Sequence, residues 1–184
     1  MNRDDNRIRA AGRIAAHLLK SGLAASSLRQ LAAAAGVSDR MLLYYFDDKA
    51  DVLSSGLQKL ASDLAVILAA AMPETMKVSP AELIAETARL VSSDTVKPYM
   101  LLWIELIAAA ARGEQPHVDI SRQIAAGFLD WIERRLDVTP SETRTTAAMI
   151  LALVDGLAVL ETCSDQKLMR QAAARIGDLI GRHR

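Results

Sequence analysis

Cysteine is nearly missing: Cys163 is the one thiol in 184 residues, so the chain forms neither an internal disulfide nor a thiolate metal cluster. Nothing then calls for an oxidising compartment, and the cytoplasm is the expected location. Histidine is equally sparse. His17, His117 and His183 lie too far apart in sequence to share one helix face, which argues against a histidine metal site. A phosphate loop, a dinucleotide fingerprint and a Gly-x-Ser-x-Gly elbow are all absent, so no cofactor and no catalysis are expected.

Charge of one sign is also lacking. Lys plus Arg and Asp plus Glu number 22 each, which excludes a protein that coats nucleic acid by bulk charge and leaves only local contacts. The apolar run Leu64 to Met72 stops well short of the roughly 18 residues of a membrane span, and Glu105 interrupts the next candidate. Arg3, Asp4, Asp5, Arg7 and Arg9 occupy the stretch where a secretory signal is apolar. No membrane partner is expected.

What the chain does have is helix former. Alanine and leucine supply 57 residues, and alternating β-branched runs are missing, so the predicted class is all-α. Five prolines, at 73, 80, 98, 116 and 140, mark helix boundaries. The spacing predicts helices over 4–21, 28–34, 38–45, 48–72, 80–93, 98–112, 119–136, 140–161 and 165–181. Ile8, Ala11, Ala15 and Leu18 form the expected apolar stripe of the first, and Asp47 is the expected cap of the fourth. Residues 1–47 read as a small module with eight basic and five acidic residues over positions 1–50, and 48–184 as a larger helical body.

Residues 28–47 have helix-turn-helix spacing. Ala32 is small where two helices cross, Gly36 admits the positive φ of a tight turn, and Leu31, Ala35, Val37 and Leu42 form the apolar seam. In that geometry the helix over 38–45 enters the major groove. Arg40 has the reach for guanine O6 and N7, Met41 or Leu43 can pack on a thymine methyl, and Tyr44 and Tyr45 can bond phosphates or base edges. Ser27 and Ser38 are caps, Lys49 reaches the backbone, and Arg29 and Asp39 complete the candidate DNA-binding set. Tyr45 reads equally as a seam residue. An ordinary packed helical hairpin has the same turn, and Phe46 with Lys49 tips the reading toward DNA.

From Ser27 through Leu53 the sequence resembles the TetR family of transcriptional repressors: Leu31-Ala32, Gly36-Val37-Ser38, an apolar-aromatic run ending in Phe46, then Lys49 and Leu53. The resemblance implies a homodimer, a palindromic operator of double-stranded DNA, a small-molecule effector in the helical body, and dimerisation through the last two long helices. Two positions depart from the family pattern. Leu43 stands where a phosphate-binding tyrosine is usual, and Arg40 where a small glycine is frequent.

In the body, the helix over 98–112 is apolar nearly all round and is expected to run through the middle. Trp103, Phe128 and Trp131 read first as core, with lining of a ligand cavity as the alternative. Glu105 reads as solvent-exposed, as paired with an arginine, or as the polar anchor of a ligand. A helical adaptor that binds protein through the same hairpin is the competing function, and an enzyme built in the helical cavity ranks behind both.

Overall fold

The computed structural model describes residues 2–181, and these are all-α, with nine helices among them: α1 (Arg3–Ser21), α2 (Leu28–Ala35), α3 (Asp39–Tyr45), α4 (Lys49–Ala71), α5 (Pro80–Val91), α6 (Lys97–Ala111), α7 (His117–Glu133), α8 (Pro140–Glu161) and α9 (Gln166–Gly181). A 3₁₀ turn at Leu23–Ala25 follows α1. His183 and the Leu179 side chain lie outside the described part.

Side-chain caps explain most helix starts. The Ser27 hydroxyl accepts from the Gln30 N–H at 3.3 Å while Gln30 Oε1 accepts from the Ser27 N–H at 3.1 Å. Ser79 and Glu82 repeat this reciprocal pair ahead of Pro80. The Ser79 hydroxyl and N–H hold the Glu82 carboxyl below the usual carboxylate range. α4 corrects the sequence reading: Asp48, not Asp47, is the cap, its Oδ1 accepting from the Asp51 N–H at 2.8 Å. α7 stops at Glu133 rather than 136, because the Arg135 carbonyl leaves the helix to accept from the Val78 N–H at 2.9 Å.

The chain divides into two compact units, one from Met1–Leu64 with Leu101–Ile124, the other from Ala65–Met100 with Ala125–Arg184. In the first, α1 buries Ala10, Ala11, Ile14, Ala15 and Leu18 against the side that also holds Leu31, Leu42, Phe46, Val52 and Leu53. Ile8 departs from the expected stripe and is 68% exposed; Ile14 takes the core position instead. A β-carbon at Gly56 would lie 2.8 Å from Ile14 Cγ2, so glycine lets α4 approach α1 closely.

In the second unit α5 packs on α8 and α9. Leu83, Ile84, Leu90, Ile150, Val154 and Ala158 are buried, and the Thr87 hydroxyl is satisfied by the Leu83 carbonyl at 2.6 Å. Arg135 is buried as well. Its Nε donates to the Met72 carbonyl at 2.7 Å and its Nη1 to the Trp131 carbonyl at 2.9 Å, with the guanidinium 4.0 Å above the Trp131 ring. Burial lowers its pKa.

α6 does not have the all-round burial expected of it, since Leu101 and Ile107 are exposed while Leu102, Leu106 and Ala109 are buried. α4 and α8 are each long and apolar enough, by length and composition alone, to cross a bilayer. The short runs considered in the sequence missed this, because scattered polar residues break each run without making either helix polar on average. Both helices bury one stripe within the protein, Leu53, Leu57, Leu60 and Leu64 on α4 and Ala147, Ile150, Val154 and Ala158 on α8.

Candidate nucleic-acid interface

Gly36 ends α2 with φ +74°, in the left-handed region that a non-glycine residue enters at a cost. Its N–H donates to the Ala33 carbonyl at 3.1 Å, and the Val37 N–H reaches back to Ala32 at 3.0 Å, closing the helix. Arg13 of α1 reinforces the turn, donating to the Ala35 carbonyl at 2.8 Å. A β-carbon on Gly36 would sit 2.7 Å from that guanidinium. Ser38 then caps α3, its hydroxyl accepting from the Met41 N–H at 3.3 Å.

α3 has two faces. Leu42 and Tyr45 are buried with Leu31, Ala32 and Ala35 of α2, as the seam requires. Asp39, Arg40, Met41, Leu43 and Tyr44 are exposed together on the other side, with Met41 at 39%, Leu43 at 43% and Tyr44 at 58%. Tyr45, left open by the sequence, is 8% exposed and meets Tyr44 edge-on at 5.8 Å. Ser27, Arg29, Ser38 and Lys49 are exposed around this helix pair. Apolar side chains standing in water beside an arginine and a tyrosine hydroxyl match what base edges and phosphates ask of a reading helix.

Sequence reasoning missed the residues that hold α3 in place. Arg7 of α1 donates to both Asp51 oxygens, at 2.8 and 2.6 Å, to the Tyr45 carbonyl at 3.0 Å and to the Ser55 hydroxyl at 3.2 Å. Its guanidinium also lies 4.5 Å from the centre of the Phe46 ring. Asp51 in turn accepts from the Asp47 N–H at 3.0 Å. Hydrogen bonding to Asp51 raises the Arg7 pKa, and the same bond, ahead of opposing desolvation, lowers that of Asp51. The exit of α3, the start of α4 and the body of α1 thus meet at one side chain. The signal was available: Arg7 shares the α1 stripe of Ala10, Ala11 and Ile14 at spacings of three, four and seven. Arg3, one turn earlier, lies 5.4 Å from the Tyr44 ring and adds a cation beside the exposed face.

Residues 14–55 match the family model for bacterial regulatory proteins of the tetR family. No curated protein matches the chain in sequence. In fold, a protein described as a TetR-family transcriptional regulator from Rhodococcus sp. matches at TM-score 0.73 and 21% identity, over 96% of this chain and 98% of that one. A transcriptional regulator from Rhodococcus sp. Rha1 matches at 0.72 and 23%, over 95% of each chain. The multidrug binding protein EbrR, complexed with proflavin, matches at 0.65 and 24%, over 95% of this chain and 99% of its own. Along the whole chain the likeness to these structures is one of fold.

The four candidate ligand-binding residues fall in different surroundings. Glu105 is exposed, as the first of its readings has it, and its Oε2 accepts from the Leu23 N–H at 2.7 Å, beside Gly22, at the turn that precedes α2. Trp131 is buried under Arg135, and its Nε1 has no hydrogen-bond partner among the described residues. Trp103 and Phe128 are half-buried. The second unit also holds an apolar cavity of about 360 Å³ between α5, α8 and α9, and none of its lining residues is aromatic. Cys163 is exposed beyond α8.

Proposed function

We propose that the chain is a homodimeric repressor that binds a palindromic operator through α3 and leaves it when a small-molecule effector enters the helical body. The observation that carries this reading is the exposed row Asp39, Arg40, Met41, Leu43 and Tyr44 on a helix whose other face is buried and latched by Arg7. Residues 1–47 are the reading module in this account and 48–184 the ligand-binding and dimerisation body, acting in the cytoplasm. With Leu43 in place of the usual family tyrosine, Tyr44 takes the phosphate contact and Arg40 reads a base.

A single seven-residue reading helix makes too few contacts for useful affinity, and pairing about a twofold axis doubles them. The surface for pairing is α8, where Ala148, Met149, Ala152, Gly156, Val159 and Leu160 are exposed at spacings of three and four, on the side away from its buried stripe. Release follows if the effector binds the conformation whose reading helices are not spaced at the roughly 34–36 Å of successive major grooves. That EbrR holds proflavin supports a fold with room for such a molecule.

The test is a salt titration of duplex binding by the full chain. Operator recognition gives an affinity that falls linearly in log–log form with salt. No duplex binding at low salt would favour a protein-binding adaptor and overturn the proposal.

A further inference from the structure

The cavity between α5, α8 and α9 is built where two helices end. α5 terminates at Val91 with Ser92 as its cap, and α8 terminates at Glu161 with Thr162 as its cap; Val91, Ser92 and Glu161 all line the space. Helix C-termini present carbonyl oxygens equivalent to roughly half a negative charge each. A basic residue in the last turn ordinarily complements this. α5 has one, Arg89, which also lines the cavity, but both its Nε and Nη2 donate to Glu86 Oε2, at 3.1 and 2.9 Å, so its charge is already paired. α8 has no basic residue in its last turn and places an acid there instead. No described side chain forms an ion pair with Glu161.

Glu161 therefore opposes the dipole of its own helix at the rim of an apolar cavity, a local arrangement that costs stability in the empty protein. A bound cation removes that cost: it neutralises the carboxylate and complements both helix ends. Leu157 and Ala88 supply apolar wall, and Met169 of α9 supplies a polarisable thioether against which an organic cation packs well. A volume of about 360 Å³ suits a compact organic molecule. We propose that this cavity takes an organic cation with an apolar body. As the effector site, this rests on the reading under Proposed function; as a binding site it stands alone.

The probes are tetraphenylphosphonium and tetraphenylborate, nearly identical in size and opposite in charge, titrated by calorimetry into the full chain without DNA. The phosphonium is expected to bind at least about tenfold more tightly than the borate. Glu161→Gln is expected to abolish most of that preference, chiefly by weakening the phosphonium, and to leave the unliganded protein as stable or slightly more stable because the dipole conflict is relieved. Binding of neither ion, equal binding of both, or a phosphonium affinity unmoved by Glu161→Gln overturns the proposal. Because DNA is absent from the titration, failure here leaves operator binding intact as a separate question, and failure of operator binding leaves this result standing.

Discussion

Arg7 and Asp51 are joined in a two-point ion pair, 2.8 and 2.6 Å, that carries the Tyr45 carbonyl with it. The two side chains are only partly buried, so the pair contributes about 1 kcal/mol to folding. Its larger effect is on orientation: it fixes the end of α3 against α1 and α4. Arg7→Met and Asp51→Asn are each expected to lower operator affinity about tenfold while moving the unfolding free energy by only about 1 kcal/mol. Arg7→Lys should not rescue, because one ammonium cannot fork onto the carboxylate and reach the carbonyl as well. Equal, proportionate losses in stability and affinity would reduce Arg7 to a folding residue.

The same pair sets a pH dependence. Asp51 is depressed in the folded protein, first by the Arg7 hydrogen bond. A depressed carboxyl stabilises the fold above the ordinary aspartate range, and that contribution disappears as pH falls through the lower folded value. The stability difference between wild type and Asp51→Asn is therefore expected to be full near neutrality and to shrink in acid, as read by urea unfolding at a series of pH values. A difference that is constant with pH contradicts the assignment.

Gly22 and Glu105 form a second interlocked pair. Gly22 has φ +72°, and a β-carbon there would lie 2.7 and 2.8 Å from the two Glu105 oxygens. Gly22→Ala is expected to cost about 2–3 kcal/mol, combining backbone strain with the clash. In a Glu105→Ala background the clash is gone, and the cost should fall to the backbone part alone. Additive effects in this cycle would show that the carboxylate is not seated there.

Legibility of the sequence followed the range of the forces involved. Caps, prolines and apolar periodicity act within one or two turns, so nine helix positions and the α2–α3 hairpin were readable from Ser27, Gly36, Ser38 and the seam residues. The fixed points of the site were not. Arg7, Arg13 and Glu105 act on backbone groups 38, 22 and 82 residues away, and sequence spacing carries no information about such distances. Glu105 shows the limit well: its sequence reading offered solvent, an arginine or a ligand, and although it is exposed, its hydrogen-bond partner is the N–H of Leu23.

Arg135 is buried with two backbone carbonyls and a tryptophan face rather than a carboxylate. Arg135→Met removes both donors and leaves the Met72 and Trp131 carbonyls unsatisfied. A loss of about 2–3 kcal/mol in unfolding free energy is expected, with a change in tryptophan fluorescence. A loss below about 0.5 kcal/mol would mean that water replaces the guanidinium.

The exposed α8 stripe makes dimerisation testable without disturbing the core. Val159 is 43% exposed, so Val159→Asp is tolerated in a free monomer and is expected to shift sedimentation from dimer to monomer and to weaken operator binding. An unchanged dimer would place the interface elsewhere.

The measurement closest to the centre of the account is selection of bound fragments from random duplexes by the wild-type chain and by Arg40→Ala in parallel. An inverted-repeat consensus is expected from the wild type, with one base position in each half-site relaxed in the variant and the others kept. Identical consensus sequences from the two proteins, or none from either, would contradict base reading by the exposed face of α3.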